Sequence, residues 1–150
     1  MRDVTNMENL KMHHLTIPGR LPGLNDYTYA SRSGKMQSAR MKRDAQATVM
    51  WHIKSQLRGV TIEHPVHLSF TWFEPDRRRD RDNISSFGRK IIQDALVSCG
   101  VLYDDGWDYV ISYADDFAVD AKKPRIELVI VEQPGRVKPK SRLPQQKGRR

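Results

Sequence analysis

A chain of 150 residues has room for one domain with a modest core, which excludes a two-domain enzyme. With 38% hydrophobic and 29% charged residues, it is lean enough in apolar side chains to imply a segment that never packs. The net charge of +8 is unevenly placed: residues 134–150 hold seven basic and no acidic side chains, leaving +1 for residues 1–133.

These counts divide the chain into a folded domain over residues 1–133 and a basic tail over 134–150. The tail has three prolines and two aliphatic side chains, too little apolar surface to offset its ordering entropy, so it is expected to be disordered. A near-neutral body beside a cationic tail suggests a polyanionic partner. Cys99 is the only cysteine, which excludes an intrachain disulfide and a four-cysteine zinc site and fits a reducing compartment. The first residues lack the apolar run of a secretory signal, and no stretch approaches the ~18 apolar residues of a membrane span. The expectation is a soluble cytoplasmic protein with no membrane partner.

In chain order, Leu10, Met12, Leu15 and Ile17 fall near alternate positions and Pro18-Gly19 stops them, which predicts a strand over 10–17. Residues 18–34, rich in Pro, Gly, Asn, Ser and Tyr, are expected to form an irregular crossing loop. Met41, Ala45, Val49, Ile53 and Leu57 recur every four residues and predict a helix over 38–57, with Arg40, Arg43, Lys54 and Gln56 on its polar face. Val66, Leu68, Phe70 and Trp72 alternate with polar residues, predicting a strand over 66–73 closed by Pro75. After a polar loop, Ile84, Phe87, Ile91, Ala95 and Cys99 form a helical stripe over 84–99 with Gly100 as its stop. Two further strands are expected over 107–113 and 125–131, joined by a turn that contains Asp115, Asp116, Lys122 and Lys123. The order β-α-β-α-β-β predicts an α+β fold of two layers, with two helices on one face of a mixed sheet.

Asp80-Arg81-Asp82-Asn83 stands where a strand has ended and a helix begins, and carboxylates at i and i+2 of an extended segment point the same way. Asp104-Asp105-Gly106 follows the helix, whose ends lie ~24 Å apart at 1.5 Å per residue, so loops or a second subunit would have to close that distance. Unpaired acids of this kind repel one another unless they bind a divalent cation, and hard oxygen ligands suit Mg²⁺. The bland alternative makes Asp82 a helix cap and Asp80 a partner of nearby arginines. Arg77, Arg78, Arg79, Arg81, Arg89 and Lys90 place six cations around the acids, as a site holding metal with acids and phosphates with bases would require. Lys90 is a candidate for stabilising charge on a phosphate or leaving oxygen, or else a solvated lysine of the polar face. The five histidines have no metal-ligand spacing and read as structural, and Asp115-Asp116 reads as part of a turn.

The ordered runs Arg79-Asp80-Arg81-Asp82-Asn83, Lys90-Ile91-Ile92-Gln93-Asp94-Ala95-Leu96 and Gly100-Val101-Leu102-Tyr103-Asp104-Asp105-Gly106-Trp107 together resemble the RusA family of Holliday junction resolvases. The resemblance covers about thirty residues directly and is compatible with most of residues 10–132. It implies a small α+β homodimer, a RusA-like endonuclease domain over residues 1–133, that binds four-way DNA junctions and introduces paired nicks with Mg²⁺, for which Mn²⁺ can substitute. Asp80, Asp82 and Asp105 match the family's metal-binding catalytic aspartates, with Asp104 preceding the last, and Lys90 looks like its catalytic lysine. Arg77, Arg78, Arg79, Arg81 and Arg89 are then the expected DNA-binding residues. Seven residues separate Asn83 from Lys90 where shorter members have three, and the added Ser85-Ser86-Phe87-Gly88 resembles a longer variant common in phage and prophage relatives. Two competing expectations are a non-catalytic DNA-binding module that uses the basic loop and tail, and a nuclease without junction selectivity.

Overall fold

The computed structural model describes residues 10–135; the first nine residues and almost all of the basic tail lie outside the described residues. Three helices and four strands follow one another as β1 (Met12–Pro18), α1 (Leu24–Ser33), α2 (Lys35–Gln56), β2 (Val66–Glu74), α3 (Arg81–Ser98), β3 (Val110–Val119) and β4 (Arg125–Glu132). The fold is α+β. Its sheet has the order β1-β4-β2-β3 and is mixed: β2 and β3 are parallel, while β4 runs antiparallel to both β1 and β2. Parallel neighbours need a long crossover, and the segment carrying α3 supplies it.

One residue row of each central strand enters the core. Val66, Leu68, Phe70 and Trp72 of β2 and Ile126, Leu128 and Ile130 of β4 are buried, as are Leu15 and Ile17 of β1. Ala45, Val49 and Ile53 of α2 and Ile84, Phe87, Ile91, Ala95 and Leu96 of α3 complete the same cluster. The close approach of α3 to β2 depends on Gly88, where an added Cβ would lie 3.0 Å from the Trp72 ring.

Four expectations change. Residues 24–33 form a third helix rather than a loop: Gly23 starts it, the Asp26 carboxylate accepts from the Gly23 N–H at 2.8 Å, and Gly34 with φ +147° separates it from α2. Only Ala30 of α1 is buried, while Tyr27 stacks on Phe87 at 4.7 Å, so the helix has no aliphatic stripe. The third strand spans 110–119 instead of 107–113, because the turn at Gly106 continues until Tyr109 and Val110 donate to the Gly106 carbonyl. Asp115 and Asp116 consequently lie in β3; the turn that follows is organised by Asp120, whose carboxylate accepts from the N–H groups of Lys122 and Lys123. Gln56 leaves the polar face of α2 and clamps β1, with its carboxamide bonded at 2.8 Å to both the N–H and the C=O of Thr16.

Candidate functional site

Strand β2 ends on Glu74, a carboxylate only 5% exposed. A buried charge needs a partner, and Arg79 provides it with two bonds of 2.8 and 3.1 Å, with Arg20 adding a third at 3.2 Å. Arg79 also donates to the Leu21 carbonyl at 3.3 Å. The loop between β2 and α3 is thereby strapped to the end of the sheet. Asp80 rather than Asp82 is the N-cap of α3, accepting from the Asn83 N–H at 3.0 Å. Asn83 uses its own side-chain oxygen to accept from the Asn25 N–H at 2.7 Å, which docks the start of α1 against the start of α3. That contact requires Gly23, where a Cβ would come 2.6 Å from the same Asn83 oxygen.

Asp80 and Asp82 project from this braced corner into solvent, and neither has an ion-pair partner among the described residues. Arg77, Arg78 and Arg81 in the same segment are exposed as well; Arg78 Nε lies 3.6 Å from Asp76, and the Arg81 guanidinium is 5.6 Å from the Phe117 ring centroid. An open groove of about 460 Å³ passes Asp76, Arg77, Asp80, Arg81 and Phe117.

Two turns further along α3, the Lys90 ammonium lies 3.2 Å from both Asp94 Oδ1 and Asp105 Oδ2. These carboxylates, Asp94 first and Asp105 second, push the Lys90 pKa above its usual 10.5, so the group is a cation and not a base at neutral pH. The segment after α3 turns back on Leu96, whose carbonyl accepts from the N–H groups of Val101 and Leu102. That return brings Asp105 to the middle of the helix. Asp104 accepts from the Asp105 N–H at 2.9 Å and shapes the turn.

The structure thus pairs Lys90 with Asp105 but does not gather all three aspartates, and the extended segment expected to aim Asp80 and Asp82 the same way ends at Asp80: Asp82 is the second residue of α3, and the groove passes Asp80 but not Asp82. Among the described residues, no group of three or more His, Cys, Asp or Glu side chains could hold a metal ion. Mg²⁺ is commonly held by one or two carboxylates together with water and substrate phosphates, and the Asp82 carboxylate and the Asp80 oxygen not used in the helix cap are donors of that kind.

The expected DNA-binding arginines divide into two kinds. Arg77, Arg78 and Arg81 are exposed, whereas Arg79 is bound to Glu74 and Arg89 lies 2.6 Å from Asp115 and 4.3 Å from the Tyr113 ring centroid. Asp115 also accepts from the Trp72 indole N–H at 2.9 Å. Sequence reasoning missed Glu74, Asn25 and Asp115. The one available signal was Trp72, since a buried indole N–H needs an acceptor, although its identity depends on the pairing of β2 with β3. No family model and no curated protein matches the chain at a significant level, and no helix among the described residues is long and apolar enough to cross a membrane.

Proposed function

We propose that the protein is a Mg²⁺-dependent, structure-selective endodeoxyribonuclease that resolves four-way DNA junctions by paired phosphodiester hydrolysis. The observation that carries this reading is the corner at the start of α3, where two exposed carboxylates without ion-pair partners among the described residues share a short segment with exposed Arg77, Arg78 and Arg81. Acids that hold a hard cation beside bases that hold phosphates are the minimum a phosphodiester hydrolase needs. The ordered similarity of residues 79–107 to RusA resolvases supports it.

In this reading Asp80 and Asp82 would hold the ion, whose contribution when bound is charge neutralisation and activation of water. Arg77, Arg78 and Arg81 hold the backbone of the bound strand. Lys90, kept protonated by Asp94 and Asp105, offers its ammonium to a phosphate or leaving oxygen and cannot serve as the general base. Eight residues of helix place it about 12 Å beyond Asp82 along the axis, so it addresses a different part of the substrate. A homodimer would present two such sites with the twofold symmetry of a junction, and a bacterial or phage-infected cytoplasm is the compartment this activity requires.

The separation of Asp105 from Asp80 and Asp82 favours one second reading, a DNA-binding module in which the acids are structural. A nicking assay on an immobile four-way junction decides between them. Paired, metal-dependent nicks support the endonuclease; tight binding without product under Mg²⁺ or Mn²⁺ supports the module.

A further inference from the structure

Helix α2 carries a surface that the site at α3 does not use. Arg40, Arg43, Ala47, Trp51 and Lys54 follow one another at i, i+3, i+7, i+11 and i+14, the spacing of a single helix face. All five are exposed, and Trp51 keeps 67% of its surface in solvent. Lys42 is exposed on the other side of the helix, two residues after Arg40, and Arg58 follows the helix end. None of these five cations has an ion-pair partner among the described residues; Asp44, the one acidic residue of the helix, is exposed on the same face four residues after Arg40, so the strip keeps three cations against one acid. By contrast, Arg79, Arg89 and Arg125 all hold carboxylates within 3 Å. Cations left unpaired along one face, with small Ala47 between them, set out a positive strip open to close approach.

We infer that this face of α2 is a second nucleic-acid contact, a track for the phosphate backbone of a duplex arm outside the cleavage corner. The inference rests on the nuclease reading for its ligand and deepens it by naming where an arm lies. From Arg40 to Lys54 the strip is about 21 Å long at 1.5 Å per residue, the axial length of roughly six base pairs. Its side chains are point charges and forks directed at phosphates and carry no base code, as recognition by backbone and shape demands. Exposed Trp51, in edge contact with His52 at 4.9 Å, adds a flat apolar surface for a sugar or an unstacked base.

The test compares the full-length parent with Arg40→Gln/Arg43→Gln/Lys54→Gln, changes that retain good helix formers. Junction binding is read by fluorescence anisotropy without divalent metal over a salt series, and nicking at saturating protein is read separately with Mg²⁺. Loss of three phosphate contacts makes the slope of log K against log salt shallower by about two to three and weakens binding by about tenfold or more near 0.1 M salt, with the saturated nicking rate unchanged. Acetylation of the bound parent gives a readout that needs no variant: Lys54 becomes protected on the junction. A parent that binds and cuts, with the triple variant indistinguishable and Lys54 still reactive, overturns this inference alone. A parent that binds no DNA overturns it together with the nuclease reading, and a difference seen only on vesicles containing anionic lipid overturns it in favour of a membrane surface.

Discussion

The ammonium of Lys90 lies 3.2 Å from Asp105 Oδ2, joining the middle of α3 to a loop fifteen residues further along the chain. Because Asp94 and Asp105 raise its pKa above 10.5, Lys90 contributes stability that is fully present below its unfolded pKa and is lost as pH rises through the folded value. With the side chain 61% exposed, the effect is small. Lys90→Met therefore flattens the decline in stability at pH values above about 10.5, as urea titrations of both proteins at several alkaline pH values measure. The same variant nicks junctions more slowly at neutral pH, where the parent's ammonium is intact.

Asp80 has a structural duty as well as a proposed chemical one, and two substitutions separate them. Asn is as good an N-cap as Asp, whereas Ala at such a position costs about 1 kcal/mol. Asp80→Asn keeps the parent's denaturation midpoint, Asp80→Ala lowers it, and both abolish nicking. Activity in Asp80→Asn equal to that of the parent would reduce Asp80 to a cap.

Gly88→Ala tests the packing of α3 against β2. Alanine in a helix is normally better than glycine by about 0.8–1 kcal/mol. Here the new methyl meets the Trp72 ring at 3.0 Å, and the ring is fixed by its bond to Asp115 and by stacking on Phe70 at 5.4 Å. Overpacking of this kind costs about 1–3 kcal/mol, so thermal unfolding moves to lower temperature. A rise in the midpoint would contradict the tight approach.

The arginines of the corner separate by readout. Arg77→Gln/Arg78→Gln weakens junction binding and makes its salt dependence shallower, leaving stability within about 0.5 kcal/mol. Arg89→Ala acts mainly on stability, since it leaves Asp115 without its cation in a part-buried setting, at about 1–3 kcal/mol. A double-mutant cycle of Arg89→Ala with Asp115→Ala gives a coupling well above 0.5 kcal/mol if the pair acts as one unit.

What the sequence disclosed follows from how local the signals are. The strands at 66–74 and 125–132 and the helices α2 and α3 are legible because the period of their buried residues matches their geometry. Helix α1 escapes because one alanine and a stacked tyrosine form its inner face. Strand β3 is only partly caught, at 110–113 of the strand expected over 107–113, because it is a sheet edge without apolar alternation and because its Asp115 is neutralised by Arg89, twenty-six residues earlier. At the candidate site, the motif residues Asp80, Asp82, Lys90 and Asp105 are legible in order. The separation of Asp105 from Asp80 and Asp82 is not, since it depends on where the loop after α3 returns. The bond from Asn25 to Asn83 spans fifty-eight residues and has no local sequence signal.

Nicking of a labelled, immobile four-way junction with and without Mg²⁺, by the parent and by Asp82→Asn, separates catalysis at the α3 corner from binding alone. Asp82 is exposed and makes no ion pair among the described residues, so its substitution leaves the fold and junction binding in place. Paired, Mg²⁺-dependent nicks are expected from the parent and none from Asp82→Asn at equal occupancy. Nicks of equal rate from both proteins, or a parent that binds the junction and never cuts it, would contradict catalysis at that corner.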